Sequence, residues 1–137
     1  LVLLQNGMTA EIPVYDFATH TRAHTTTTAQ PKDIILIEGI LIYTAPALRA
    51  IIDLGIYVHT HADIRLARRI NRDVAERGRT VDSVLKQYLT TVRKGHIKFV
   101  EPTRVCAELV ISGADSNDLQ ATRILTIIHQ LLRRAKT

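Results

Sequence analysis

Three short apolar runs limit what this chain can fold into. They are Asp33-Ile-Ile-Leu-Ile-Glu38 with Gly39 behind it, Ile56-Tyr-Val-His59, and Leu109-Val-Ile111. None is long enough for a helix core, and stretches of helical periodicity separate them at 44–52, 65–79, 80–100 and 119–134. Strands alternating with helices imply an α/β fold, a parallel sheet with helices on both faces. The first run is continuous and ends in a carboxylate and a glycine, which predicts a buried parallel strand. Upstream, residues 1–7 read as the last turns of a helix closing at Gly7. Residues 11–15 and 25–28 predict a small β-hairpin, with Pro13 on an edge and His20, Arg22 and His24 at the tip. Lys94-Gly95 is a candidate break in the helical region after Thr80, and Glu101-Pro102 a certain one.

With 137 residues, 46% hydrophobic and 23% charged, the sequence suits one globular domain spanning 1–137. No apolar run approaches the ~20 residues of a membrane span. The one cysteine, Cys106, excludes an internal disulfide and fits a reducing, cytoplasmic setting. A net charge of +5 favours anionic partners without singling out nucleic acid. Four Tyr, two Phe and no Trp leave little for stacking on single strands. The chain opens on Leu1 rather than methionine, and we expect a further N-terminal part to precede it.

The most basic stretch is 65–79, with Arg65, Arg68, Arg69, Arg72, Arg77 and Arg79. Arg65, Arg68, Arg69 and Arg72 share a helical face, opposite an apolar stripe of Ile64, Ala67, Ile70 and Val74. Gly78 occupies the position of a helix-ending glycine. Guanidinium forks suit phosphate, because they bind two oxygens at once and stay charged. The plainer reading is a solvated face on which Asp73 and Glu76 act as partners.

Ligands of open parallel sheets bind at the carboxyl ends of strands. Glu38 sits at such an end and could support Mg²⁺ or its water, with Gly39 admitting close approach. His59 and His61 point the same way after a strand, yet no third or fourth metal ligand stands at useful spacing. Cys106 lacks a neighbour that would activate it and reads as a packed residue. No glycine is followed by lysine, so these residues hold no G-x-x-x-x-G-K phosphate-cradling loop.

Five segments then fall into one order: Pro13-Val-Tyr-Asp-Phe-Ala-Thr-His-Thr-Arg22, Ile37-Glu-Gly-Ile-Leu41, Arg68-Arg-Ile-Asn-Arg-Asp73, Glu76-Arg-Gly-Arg79 and Gln87-Tyr88. Together, from about residue 7 to 117, they resemble the uridine kinases, also called uridine–cytidine kinases. The resemblance implies a P-loop kinase fold with an arginine-bearing lid helix. It also implies transfer of the γ-phosphoryl of ATP (or GTP), with Mg²⁺, to the 5′-hydroxyl of uridine or cytidine. By the same resemblance, Tyr15, His20, Arg69, Arg79 and Gln87 belong to the nucleoside site or its lid. Arg65, Arg68, Arg72 and Arg77 would lie near the triphosphate, and Asp115 by the adenine. The family's P-loop and general base would lie upstream of Leu1, so little catalysis is expected of these residues alone. His59 and His61 stand where the family commonly has acidic residues. Lys94-Gly95 and Ser112 stand where it has prolines.

Other readings are a phosphoribulokinase-like sugar-phosphate kinase, a non-catalytic regulatory module, or a basic nucleic-acid binder using the arginine face. Self-association as a homo-oligomer is compatible with all of them.

Overall fold

A computed structural model of the chain describes residues 1–16 and 21–134. They form an α/β structure divided into two compact units, Leu1–Glu38 and Gly39–Thr137.

In the first unit a short helix, α1 (Val2–Gln5), closes at Gly7, whose φ of 73° lies in the left-handed region where a side chain is disfavoured. Strands β1 (Ala10–Asp16) and β2 (Thr21–Ala29) then pair antiparallel, with Ala10 opposite Ala29 and Tyr15 opposite Arg22. The register shifts between Pro13 and Tyr15, a bulge suited to a residue that cannot donate to a ladder. Glu11 fastens the ribbon across its face. Its carboxylate accepts from the hydroxyls of Thr26 at 2.5 Å and Thr28 at 2.6 Å. Those two bonds hold the Glu11 carboxyl below its ordinary range. The hairpin is present, but Arg22 and His24 belong to β2 and not to its tip. His20 lies outside the described residues.

The expected strand at 33–38 does not form. Leu36 is 89% exposed, Ile34 is half exposed, and no strand among the described residues is hydrogen-bonded to the segment. A continuous apolar run signals burial, but a strand also needs a ladder partner, and among the described residues this run has none.

The second unit opens with a 3₁₀ turn at Ile42–Thr44 and the short helix α2 (Pro46–Arg49), with Pro46 in its first turn. This helix is shorter than the 44–52 pattern suggests. Ile51 and Ile52 continue it through i→i+3 bonds to Leu48 and Arg49, a tightening that ends the element before Gly55. Strand β3 (Ile56–His59) pairs in parallel with β4 (Leu109–Ser112), Ile56 facing Leu109 and His59 facing Ser112. Alternation puts buried Tyr57 and buried Ile111 on opposite faces of this pair, so each face is partly covered.

Between the strands run α3 (Ala62–Arg77), α4 (Val81–Gln87) and a continuation that stays helical as far as Cys106. Gly78 caps α3 at φ 61°, and the Thr80 side chain accepts from Ser83 N–H to start α4. The continuation alternates π turns (Tyr88–Val92, His96–Val100) with α5 (Arg93–Gly95) and ends in a 3₁₀ stretch, Glu101–Cys106. Lys94-Gly95 therefore does not break it. Pro102 does mark a change of winding, from π to 3₁₀. Helix α6 (Asn117–Arg134) closes the described chain. Cys106 is half-buried, and among the described residues the buried side chains are Tyr43, Tyr57, Val84, Tyr88 and Ile111 with two polar ones, Asp73 and Gln120.

Candidate functional site

Asp73 is the most informative of the buried residues, because a carboxylate with no exposed surface must be paired or protonated. It is paired four times. Oδ1 accepts from Arg72 (Nε 3.2 Å, Nη2 3.1 Å) and from Arg77 Nη1 at 3.2 Å. Oδ2 accepts from Arg79 Nη1 at 3.2 Å and lies 3.6 Å from Arg69 Nε, an ion-pair distance. The chain makes this possible through spacing. Arg69 and Arg77 stand one helical turn before and after Asp73, and the Gly78 cap brings Arg79 back, its N–H donating to the Asp73 carbonyl at 3.1 Å.

Burial pushes the Asp73 carboxyl up, but the Arg72 hydrogen bond and the charges of Arg69, Arg72 and Arg77 outweigh it and hold the group below its ordinary value. One carboxylate among four guanidiniums leaves the cluster strongly cationic. The arginine side chains keep between 23% and 46% of their surface exposed, so that charge is accessible from solvent.

Gln87 completes the group. Its Oε1 accepts from Arg69 Nη2 at 2.8 Å and from Arg79 Nη1 at 2.7 Å. Arg79 is held further by the Ser83 hydroxyl at 3.0 Å and the Ser83 carbonyl at 3.3 Å. Arg69, Arg79 and Gln87, which the sequence reading groups by resemblance, thus touch one another. Arg69 comes from the middle of α3, Arg79 from the turn between α3 and α4, and Gln87 from the end of α4.

The four arginines of that helical face do not share one partner. Arg65 donates from Nε to the Thr60 carbonyl at 3.0 Å, and Arg68 from Nη1 to the Gly113 carbonyl at 2.9 Å. Both are tied to loops at the strand ends, and neither pairs with Asp73. The expected apolar stripe is also interrupted, since Ala67 and Val74 are exposed while Asp73 is buried. Glu76 makes no ion pair among the described residues, so the plainer solvated-face reading loses one of its partners. The spacing of Arg69, Asp73 and Arg77 already carried the signal for a buried centre. The loop contacts of Arg65 and Arg68 had no counterpart in local sequence.

The remaining candidates lie on other elements. Tyr15 is half exposed on β1, and Glu38 is exposed at the end of the first unit. Asp115 accepts from Gln120 Nε2 at 2.9 Å, and Gln120 is itself buried at the start of α6. His59 and His61 meet edge to face with ring centres 5.4 Å apart. Among the described residues no three His, Cys, Asp or Glu side chains gather as a metal group. Glu38 belongs to no such group. Nor is any described helix long and apolar enough to cross a membrane.

Comparison with known proteins bears on this geometry. A uridine kinase of Macrococcus caseolyticus (strain JCSC5402) is 47% identical over 129 residues, covering 91% of this chain and 63% of the relative. One of Alkaliphilus metalliredigens (strain QYMF) is 47% identical over 134 residues, covering 95% and 64%. One of Staphylococcus aureus (strain JH9) is 44% identical over 129 residues, covering 91% and 62%. The chain therefore spans less than two thirds of the length of the curated relatives it matches. The pattern of the phosphoribulokinase / uridine kinase family matches residues 1–120, and on that match the chain belongs to this family of kinases.

Proposed function

We propose that these residues form the nucleoside-binding and lid portion of a kinase that phosphorylates uridine or cytidine on the 5′-hydroxyl, with ATP as donor. Both units would belong to one kinase domain. The Arg69–Gln87–Arg79 group carries the reading. Gln87 Oε1 is already occupied by two guanidiniums. Among the described residues its amide nitrogen makes no hydrogen bond, which leaves a donor for a polar base or sugar edge. A site built to satisfy polar edges discriminates strongly against ligands that lack them. For Tyr15 and His20, in the first unit, a role in nucleoside recognition rests on the resemblance alone.

Around this group the surplus positive charge of Arg72 and Arg77 is poised for phosphoryl oxygens. Preorganised cations of this kind stabilise the charge that develops in phosphoryl transfer. The backbone cradle for the β- and γ-phosphates is not among these residues, so this chain alone would bind nucleoside and transfer phosphoryl poorly.

Calorimetry with uridine tests the reading. We expect saturable binding that Gln87→Ala weakens about ten-fold, the effect of losing a hydrogen bond to a charged or desolvated group. Absence of uridine binding, combined with nucleic-acid binding that falls steeply with salt, would overturn it. In a polypeptide of the relatives' length, UMP formed from uridine, and no bisphosphate from ribulose 5-phosphate, separates this reading from a phosphoribulokinase.

A further inference from the structure

A second cationic place lies away from Asp73. A cavity of about 180 Å³ opens where α3 begins, lined by Ala62, Arg65, Tyr88, Arg93, His96 and Ile97. Its two guanidiniums differ from those of the Asp73 cluster, since neither Arg65 nor Arg93 has a carboxylate within ion-pair distance among the described residues. Arg65 is aimed by its Nε bond to the Thr60 carbonyl, which leaves its terminal nitrogens as donors. The Arg93 side chain makes no hydrogen bond among the described residues, and its position on the helical continuation places it in the same cavity wall as His96.

His96 is held from behind. Its Nδ1 lies 3.7 Å from Glu101 Oε2, and that oxygen also accepts from the hydroxyl of buried Tyr57 at 3.4 Å. A carboxylate on Nδ1 favours the tautomer protonated there and leaves Nε2 to respond to a ligand. Buried Tyr88 and the side chain of Ile97 give the cavity apolar walls, where charge interactions are less screened than in open water.

We propose that this cavity is a binding site for a phosphate-class oxyanion, held by Arg65, Arg93 and His96. Two guanidiniums supply paired donors to its oxygens, and His96 becomes a third donor when protonated. Without the anion His96 is held below its ordinary value, by burial first and then by Arg65, with His59 adding to this and Glu101 opposing it. An anion in the cavity reverses the balance and favours the imidazolium. Binding therefore takes up a proton at His96. The site uses none of the Arg69–Gln87–Arg79 group, and it shares with the kinase reading only Arg65, one of the arginines that the resemblance puts near the triphosphate.

The test follows the His96 ring by NMR in the 137-residue chain through a pH series, with inorganic phosphate and with sodium chloride of equal ionic strength. Phosphate is expected to move the His96 titration upward and saturably, with chloride leaving it in place. Arg93→Gln should lower phosphate affinity about ten-fold with no change in the unfolding midpoint, and Arg93→Lys should recover part of it. Gln87→Ala should leave the phosphate titration intact, which keeps failure of this site distinct from failure of nucleoside binding. A second arm replaces phosphate with ATP. Movement of His96 at lower ATP than phosphate identifies a nucleotide's phosphates as the source, and no competition by ATP identifies free phosphate. Equal movement with chloride, or unchanged affinity in Arg93→Gln, would overturn the proposal.

Discussion

The first and the later turns of α3 use the same residue type in opposite ways. From mid-helix onward, Arg69, Arg72 and Arg77 converge with Arg79 on the buried carboxylate of Asp73. Before that point, Arg65 and Arg68 are fixed by neutral carbonyls, those of Thr60 and Gly113. A carboxylate supplies geometry and charge compensation together. A carbonyl supplies geometry alone and leaves the whole positive charge available. The first arrangement gives a rigid cluster whose stability depends on one residue. The second ties the helix start to the loops at the ends of β3 and β4, where the parallel pair delivers its carboxyl ends. One arginine-rich helix thus holds its guanidiniums in two ways, and the distinction lies in what each is held by.

The harshest way to break the comparison is Asp73→Asn. The side chain keeps its shape, but four guanidiniums lose their counter-charge in a site where the carboxyl had no exposed surface. Removing one partner of a buried ion pair costs about 3 kcal/mol, the low end of the usual range, because these arginines retain access to water. Urea unfolding should show this loss. Uridine affinity should fall as well, since Arg69 and Arg79 would no longer be held against Gln87. An effect within about 0.5 kcal/mol, the size of an ordinary surface substitution, would mean that the cluster is as weakly coupled as the other end of the helix.

How much of this was legible beforehand follows the range of the interactions. The hairpin, β3, β4, the Gly78 cap and the Thr80 cap rest on neighbours a few residues apart, and their periodicity and turn chemistry were readable. The arginine cluster was half readable. The one-turn spacing of Arg69, Asp73 and Arg77 was in plain view, but burial of Asp73 depends on Arg79 returning over the cap and on Gln87 from α4. The 33–38 run misled because periodicity reports apolarity and says nothing of whether a ladder partner is present. The helical continuation through Lys94-Gly95 was hidden for a related reason. Glycine at φ −62° is ordinary helix, and its cost of about 1 kcal/mol is small beside packing of Tyr88 and Val84. Contacts such as Arg68 to Gly113, 45 residues apart, leave no local trace.

The N-terminal end of α3 can be probed at the loop it holds. Gly113 donates to the His59 carbonyl at 2.8 Å and accepts from Arg68, and a Cβ there would collide with the Thr60 hydroxyl and crowd Val58. Gly113→Ala should therefore destabilise by about 2 kcal/mol, the usual scale for forcing an extra methyl into a packed place. Thr60→Ala combined with it should recover part of that loss, because the hydroxyl is the nearest obstacle. Uridine affinity should be unchanged, since the cluster at Asp73 is untouched. A matching fall in uridine affinity would show that the two ends act as one unit.

Acid titration separates the ends with the smallest perturbation. Asp73 has a folded-state value below its ordinary 3.8, so its stabilisation is complete above that value and is lost as pH falls through the lowered one. His96, beside Arg65, also titrates below its ordinary 6.5, chiefly through burial. Its contribution is likewise complete above 6.5 and is lost as pH falls toward its folded-state value, because the buried ring must then take up a charge beside a guanidinium. Falling pH should weaken the N-terminal end first, just below 6.5, and the Asp73 cluster only below 3.8. Unfolding free energy measured in urea across this range should show two declines. His96→Gln should remove the upper one and leave the lower, and Asp73→Asn the reverse. A decline just below 6.5 that persists in His96→Gln would mean that another group governs it, and the contrast between a charge-compensated end and an uncompensated one would then rest on geometry alone.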